Sequence, residues 1–278
     1  MMRKAAPASP GFSLFQYAIC LNGILWRETL RFLHQRERFV SALVRPLVWL
    51  FIFAAGFRAG AGPLLTPPYT TPVPYEIYIA PGLMAVIQLF NGMQSSLSMV
   101  YDREMGNMRI LLVSPFPRWF LLTAKLCAGT LVSLLQVYAF LVIAWFWDIR
   151  PPSLFGYVAV LPALVLSGLM LGALGMLLSS QIKQLENFAG VMNFVIFPMF
   201  FASTALYPLI RIREGSPKLA FVASLNPLTH AVELIRFAFQ QQINWLALAV
   251  VFIATALFLG GAIVAYDPAR GLGARRSE

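Results

Sequence analysis

Acidic residues are scarce in this sequence: 11 Asp and Glu stand against 21 Lys and Arg, and charges of either sign occupy only 12% of 278 positions. That is about half the charged fraction of an ordinary water-soluble domain. With 59% of the residues hydrophobic, water is not the main solvent of this chain. Cysteine is nearly absent too. Cys20 and Cys127 are the only two, one near a basic N-terminal region and one inside an apolar run, which argues against a disulfide and excludes a cysteine-based metal site. Also missing is any Gly-x-x-x-x-Gly-Lys-Ser/Thr segment, whose backbone nest and lysine hold nucleotide phosphates. The expectation is a chain with no cofactor, metal or catalytic residue of its own.

What is present is apolar length. A helix needs roughly 20 apolar residues to cross a hydrocarbon core, and we read six such spans, at about 41–57, 77–100, 121–147, 157–179, 188–207 and 245–266. The fold class expected is therefore an all-α integral membrane protein, a six-transmembrane-helix bundle within a domain over 41–266, preceded by a cytoplasmic segment 1–40 and followed by a cytoplasmic tail 267–278. With both termini cytoplasmic, fifteen of the 21 Lys and Arg fall inside and six outside, the bias of the positive-inside rule. A nucleic-acid partner would require the basic residues on one accessible face. Here they are scattered between apolar runs, so the net charge of +10 points to topology and to anionic membrane lipids. Asn22, Arg27, Glu28 and Arg31 interrupt the early apolar stretches, so no signal-peptide pattern appears and the N-terminus is expected to be retained.

Before the first span, Trp26, Leu30 and Leu33 recur at helical spacing beside a stripe of Arg27, Arg31, His34 and Arg38, the pattern of a helix lying in the membrane interface. It serves either as a plain anchor or as a docking element. The loop 58–76 is rich in proline and should be extended rather than helical. The segment 208–244 is too polar to cross, although 228–239 has an amphipathic helical pattern that can return shallowly into the membrane.

The six spans contain no Asp, Glu or His; Arg45 and Lys125 are their only charges, each near a cytoplasmic end where it can snorkel. A proton- or sodium-coupled carrier, or an intramembrane hydrolase, lacks its residues here. Free energy for uphill transport must enter from outside the membrane domain. The place expected for this is the loop after the second span, where Asp102, Arg103, Glu104 and Arg109 gather around Met105, Met108, Leu111 and Leu112; such a segment fits a partner's groove, or is simply a solvated turn. Within the second span Gln88, Asn91, Ser95 and Ser98 step by three, four and three, onto one helix face. That face lines a substrate route or hydrogen-bonds a neighbouring helix. Gly168, Gly172 and Gly175 permit close helix packing, Pro81, Pro162 and Pro198 should bend their helices, and Glu233 with Arg236 can pair at i,i+3.

Three ordered segments carry a resemblance. Arg103, Glu104, Gly106, Leu111, Leu112, Ser114, Pro115 and then Lys125, together with YIAPGLM around Pro81 and Gly82 and NPLTHAVELIR from Asn226 and Pro227 to Arg236, resemble the membrane subunits of ABC-2 type exporters over most of the chain. Asn107 stands where that family more often has Thr. The resemblance implies a permease, not an enzyme, in a bacterial inner membrane. It implies a separate ABC ATPase that binds ATP and Mg, a coupling helix at Asp102, Arg103, Glu104, Gly106 and Arg109, and a homodimer or close heterodimer of permeases. It also places the amphipathic helix of Asn226, Pro227, Glu233 and Arg236 near an external gate. Two rival readings remain at this point: a membrane-embedded transferase using Asp102, Glu104 and Arg109 on a lipid substrate, and a non-transporting scaffold.

Overall fold

The computed structural model describes residues 13–34, 40, 43–52, 56, 63–104, 116–182 and 184–266. Eleven helices occur among them: α1 (Leu14–His34), α2 (Leu43–Ile52), α3 (Tyr75–Glu104), α4 (Arg118–Trp145), α5 (Gly156–Ala159), α6 (Leu161–Gln181), α7 (Leu185–Phe201), α8 (Leu209–Gly215), α9 (Pro217–Leu225), α10 (Pro227–Phe239) and α11 (Trp245–Ala265). The described residues hold no strand beyond one antiparallel bridge, Leu64 to Val73, inside the proline-rich connection before α3.

Three stretches are long and apolar enough to cross a membrane: α4, the run from Gly156 to Gln181, and α11. Two more helices, α2 and α7, are apolar but shorter. The 30-residue α3 has the length, about 45 Å at 1.5 Å per residue, but its second half is loaded with Gln, Asn and Ser. Its first half is the centre of the bundle. Tyr78, Ile79, Ala80, Leu83, Met84, Ala85 and Leu89 are all essentially inaccessible, because α6 lies along α3 while α4, α7 and α10 close on it from other sides. α11 covers the far side of α6, and α1 docks on α4.

Helices in hydrocarbon gain nothing from merely burying Leu against Leu, so close approach of small residues becomes the means of association. At Gly92 a Cβ would stand 3.0 Å from the backbone of Gly172, and at Gly175 one would stand 2.8 Å from the Gly92 carbonyl oxygen. The α3–α6 crossing therefore depends on bare backbone at both faces. The outward faces behave oppositely: Phe194 on α7 and Phe252, Ile253 and Leu257 on α11 are largely exposed, a surface suited to lipid rather than water.

Several expected boundaries shift, each for a local reason. The span expected over 157–179 breaks at Val160, and Pro162 sits in the first turn of α6; there its missing N–H costs nothing, so it starts a helix instead of bending one. Pro81 and Pro198 do lie inside helices. α7 ends at Phe201, six residues before the expected limit, where its last carbonyls find a side-chain partner in Asn226. The segment 208–244 folds into α8, α9 and α10, and α10 coincides with the amphipathic pattern read over 228–239. Ser216, Asn226 and Asn244 accept the first free N–H groups of α9, α10 and α11, which fixes where each begins. α1 begins at Leu14, well before the residues that suggested it.

Candidate functional site

The polar face of α3 divides into two parts. Gln88 is 1% exposed and its amide donates to the Leu164 carbonyl at 2.7 Å, a helix-to-helix bond with α6. Farther along, the face opens. Asn91, Gln94, Ser95 and Ser98 line a cavity of about 70 Å³ closed on the other side by Glu28 and Arg31 of α1 and Lys125 of α4. Ser98 donates to the Ser95 carbonyl at 2.7 Å, while the Asn91 Nδ2 is buried without a partner. Asn91 and Gln94 also line a second cavity of about 90 Å³ with Arg45, Phe90 and Gln136, so a polar cleft runs between α1, α2, α3 and α4. The Arg45 guanidinium lies 4.2 Å from the centre of the Phe90 ring.

Arg45 and Lys125, the two charges expected within the spans, both line this cleft. Glu28, Gln94 and Gln136 were missed. The signal existed for Glu28, three residues before Arg31 on one helix, but placing it on the same cavity wall as Lys125 needs the docking of α1 on α4. That docking is aromatic: the Tyr17 ring packs against Phe116 at 5.5 Å and Phe120 at 4.8 Å, and Phe32 is 3% exposed. Trp26 and Leu33 remain exposed on the opposite side. Arg27 pairs with Glu28 at 2.8 Å, and His34 contacts the Leu30 carbonyl at 2.7 Å.

At the end of the bundle away from α1, α10 carries a buried ion pair. Arg236 is 1% exposed; it donates to the Glu233 carboxylate and to the Thr204 carbonyl at 2.8 Å, and its guanidinium lies 4.1 Å from the Tyr78 ring centre. Burial by itself works against the guanidinium's charge, but Glu233 first, and Tyr78 and Tyr69 after it, outweigh this and hold its pKa above the ordinary value. Burial likewise pushes the Tyr69 phenol up to about 12, with Arg236 opposing and Glu233 adding to the rise. Tyr75 and Tyr78 donate to the carbonyls of Leu206 and Thr204. The turn after α7 is thus stapled to the start of α3, where Gly82 lets the Ala205 backbone approach so closely that a Cβ would stand 2.3 Å from its oxygen. Asn226 completes the assembly: its Nδ2 donates to the Met199 and Ala202 carbonyls at 2.7 Å each, and its Oδ1 accepts from Leu228 N at 2.9 Å. Pro227 follows it as the first residue of α10.

Of the expected coupling residues, Asp102, Arg103 and Glu104 lie on the last turn of α3 rather than in a loop. Gly106 and Arg109 lie outside the described residues. The two cysteines are free.

The sequence profile of the ABC-2 type transporter family matches residues 21–240, from within α1 to just past the end of α10. The chain belongs to the ABC-2 type transporter family. Among relatives of this ABC-2 permease, a putative transport permease of Pyropia yezoensis is 27% identical over 231 residues, spanning 81% of this chain and 75% of that protein. A putative transport permease of Cyanophora paradoxa is also 27% identical, over 74% of this chain and 69% of the relative. A probable multidrug ABC transporter permease of Escherichia coli is 27% identical over 60% of this chain and 45% of that protein. An ABC-2 permease is a membrane transport subunit, not itself an enzyme, and the family works in general with an ABC ATPase.

Proposed function

We propose that the chain is the permease subunit of an ATP-driven exporter, with the translocation route along the polar part of α3 and the ATPase on a separate chain. The cleft carries this reading. Glu28, Arg31, Asn91, Gln94, Ser95 and Lys125 converge there between helices whose outward faces carry exposed Phe and Leu, and ionisable side chains turned toward the interior of a membrane bundle are by default candidates for a transport pathway. Gln88, bonded to α6, belongs to packing; Asn91, Ser95 and Ser98 belong to the route.

In this reading α2, α3, α4, α5 with α6, α7 and α11 are the six crossings of a transmembrane domain over 41–266. α1 rests in the interface, with Leu14, Phe15, Ile19, Trp26 and Leu33 toward lipid, an assignment supported by their exposure. N- and C-termini are cytoplasmic, in a bacterial inner membrane. The end of α3 at Glu104 is then on the cytoplasmic side, where Asp102, Arg103, Glu104, Gly106 and Arg109 engage a groove of the ATPase. Asn226, Pro227, Glu233 and Arg236 are at the external side and form part of the gate. Two permeases, identical or closely related, enclose the route. The similarity to a probable multidrug permease supports an amphipathic cargo.

Charge reversal at Glu104 and Arg109 tests the coupling: the ATPase should no longer co-purify, and unchanged complex formation with unchanged ATPase stimulation refutes it. Asn91→Trp tests the route. It should abolish export while the protein still assembles with its ATPase; undiminished export contradicts the cleft as pathway.

A further inference from the structure

A second and larger space lies at the other end of the molecule. A chamber of about 390 Å³ is bounded by α8, α10 and the start of α11, with Tyr78 and Thr204 behind it, a size within the roughly 300–1,000 Å³ range of small-molecule sites. It shares no residue with the α3 cleft. Most of its wall is apolar, from Leu209, Phe237, Leu246 and Ala247 among others.

Four polar atoms of residues in that wall are idle. Thr66, Thr204 and Thr229 all line the chamber, and each has a buried hydroxyl with no hydrogen-bond partner; the Arg236 Nε is in the same condition. A buried polar group left unpartnered is costly, and four such atoms around one chamber are groups that a bound molecule can satisfy. A change of χ1 rotamer turns a threonine hydroxyl toward such a molecule. The charge balance narrows the chemistry. Arg236 is already matched by Glu233 and the His230 ring is engaged with the Ser224 carbonyl at 2.9 Å, so an anionic head group would meet the Glu233 carboxylate without an unmatched guanidinium or ammonium in the lining to offset it. The rim narrows it further. Ile210 is 58% exposed and Leu246 is 70% exposed, an apolar threshold that favours entry from a lipid phase.

We propose that this chamber binds an uncharged, ester-bearing membrane lipid of the diacylglycerol type. Its ester carbonyls and hydroxyl engage the threonine hydroxyls, the first part of its chains lies against Leu209, Phe237 and Ala247, and the rest leaves past Ile210 and Leu246. A lipid held there ties α8 to α10 and α11 and stabilises them by mass action. The site shares Glu233 and Arg236 with the proposed external gate but no residue with the α3 cleft, and lipid binding there is read without measuring transport.

The test uses the full-length protein in nanodiscs with a photoactivatable dioleoylglycerol analogue, and maps cross-linked peptides by mass spectrometry. Label should fall on α8, α10 and the first turn of α11, and excess dioleoylglycerol should remove it while phosphatidic acid with the same chains should not. Thr229→Val, which keeps shape and removes one hydroxyl, should lower labelling several-fold; Ala247→Phe, which fills the chamber, should lower it at least tenfold. If Ala247→Phe fails to fold, Thr229→Val and the competition decide alone. Equal labelling of Thr229→Val and the unaltered protein, equal competition by phosphatidic acid, or label spread along the outer face of α11 near Phe252 would each overturn the proposal.

Discussion

Replacing Arg236 by Met removes the cation that joins α10, the turn after α7 and the start of α3. The Glu233 carboxylate then loses its partner, the Thr204 carbonyl loses a 2.8 Å donor, and the Tyr78 ring loses the guanidinium over its face. Breaking one side of a buried ion pair costs about 3–5 kcal/mol. The Glu233 side chain retains 22% exposure and can rehydrate in part, which places the loss near the lower figure, about 3 kcal/mol. At roughly 2–4 °C per kcal/mol for a domain of this size class, the melting temperature should fall by on the order of 10 °C. The assay is thermal unfolding of the purified protein in detergent, followed by intrinsic tryptophan fluorescence. Arg211→Met is the internal control, because Arg211 and Glu214 form a pair at 3.6 Å with both side chains more than 60% exposed, and such pairs contribute little. The double variant Glu233→Gln with Arg236→Met leaves no unpaired charge and should recover part of the loss. Equal melting of the two single variants would refute the reasoning.

Other consequences follow from the same geometry. Gly92→Ala and Gly175→Ala place a Cβ against backbone across the α3–α6 crossing and should each destabilise by about 1–3 kcal/mol, whereas Gly190→Ala on α7, with nothing within 4 Å of its Cβ, should not; unfolding in denaturing detergent separates them. Asn226→Ala removes three hydrogen bonds at the α7–α10 junction and should cost about 1–3 kcal/mol, read by the same assay. Tyr69 titrates higher in the folded protein than its ordinary value of 10, at about 12, mainly because it is buried. Folding therefore favours its neutral form, a contribution fully present below pH 10 and lost as pH rises through 12. Alkaline unfolding should be shallower over that window in Tyr69→Phe, and an unchanged profile would count against the phenol's role.

Most of the helical framework was legible because hydrocarbon imposes a simple rule, a run of about 20 apolar residues per crossing. The rule works best where a helix is buried by protein on few of its sides, as for α11, whose limits differ from the sequence reading by one residue. It works less well where protein replaces lipid. α3 is buried by its neighbours and can carry Gln88 and Asn91, so its apolar signal fades although its position in the bundle is central. Val160 ends one helix and Pro162 opens the next, a break that periodicity does not reveal because both sides are uniformly apolar. The polar stripe on α3 was legible from its spacing. Its division into a packing residue, Gln88, and a cleft beginning at Asn91 depends on which helix stands opposite, and that is tertiary information. The i,i+3 pairing of Glu233 and Arg236 was legible for the same reason. Their burial against Tyr78 and Thr204, over a hundred residues away along the chain for Tyr78, was not.

The central claim is that this polypeptide supplies a passage and takes its driving force from an ATPase on another chain. The direct measurement is ATP-dependent uptake of fluorescent amphiphiles into sealed inside-out vesicles, with the permease reconstituted alone and together with its nucleotide-binding partner. Accumulation should require both proteins and ATP, and should disappear with Asn91→Trp. Uphill accumulation by the permease alone would contradict the account.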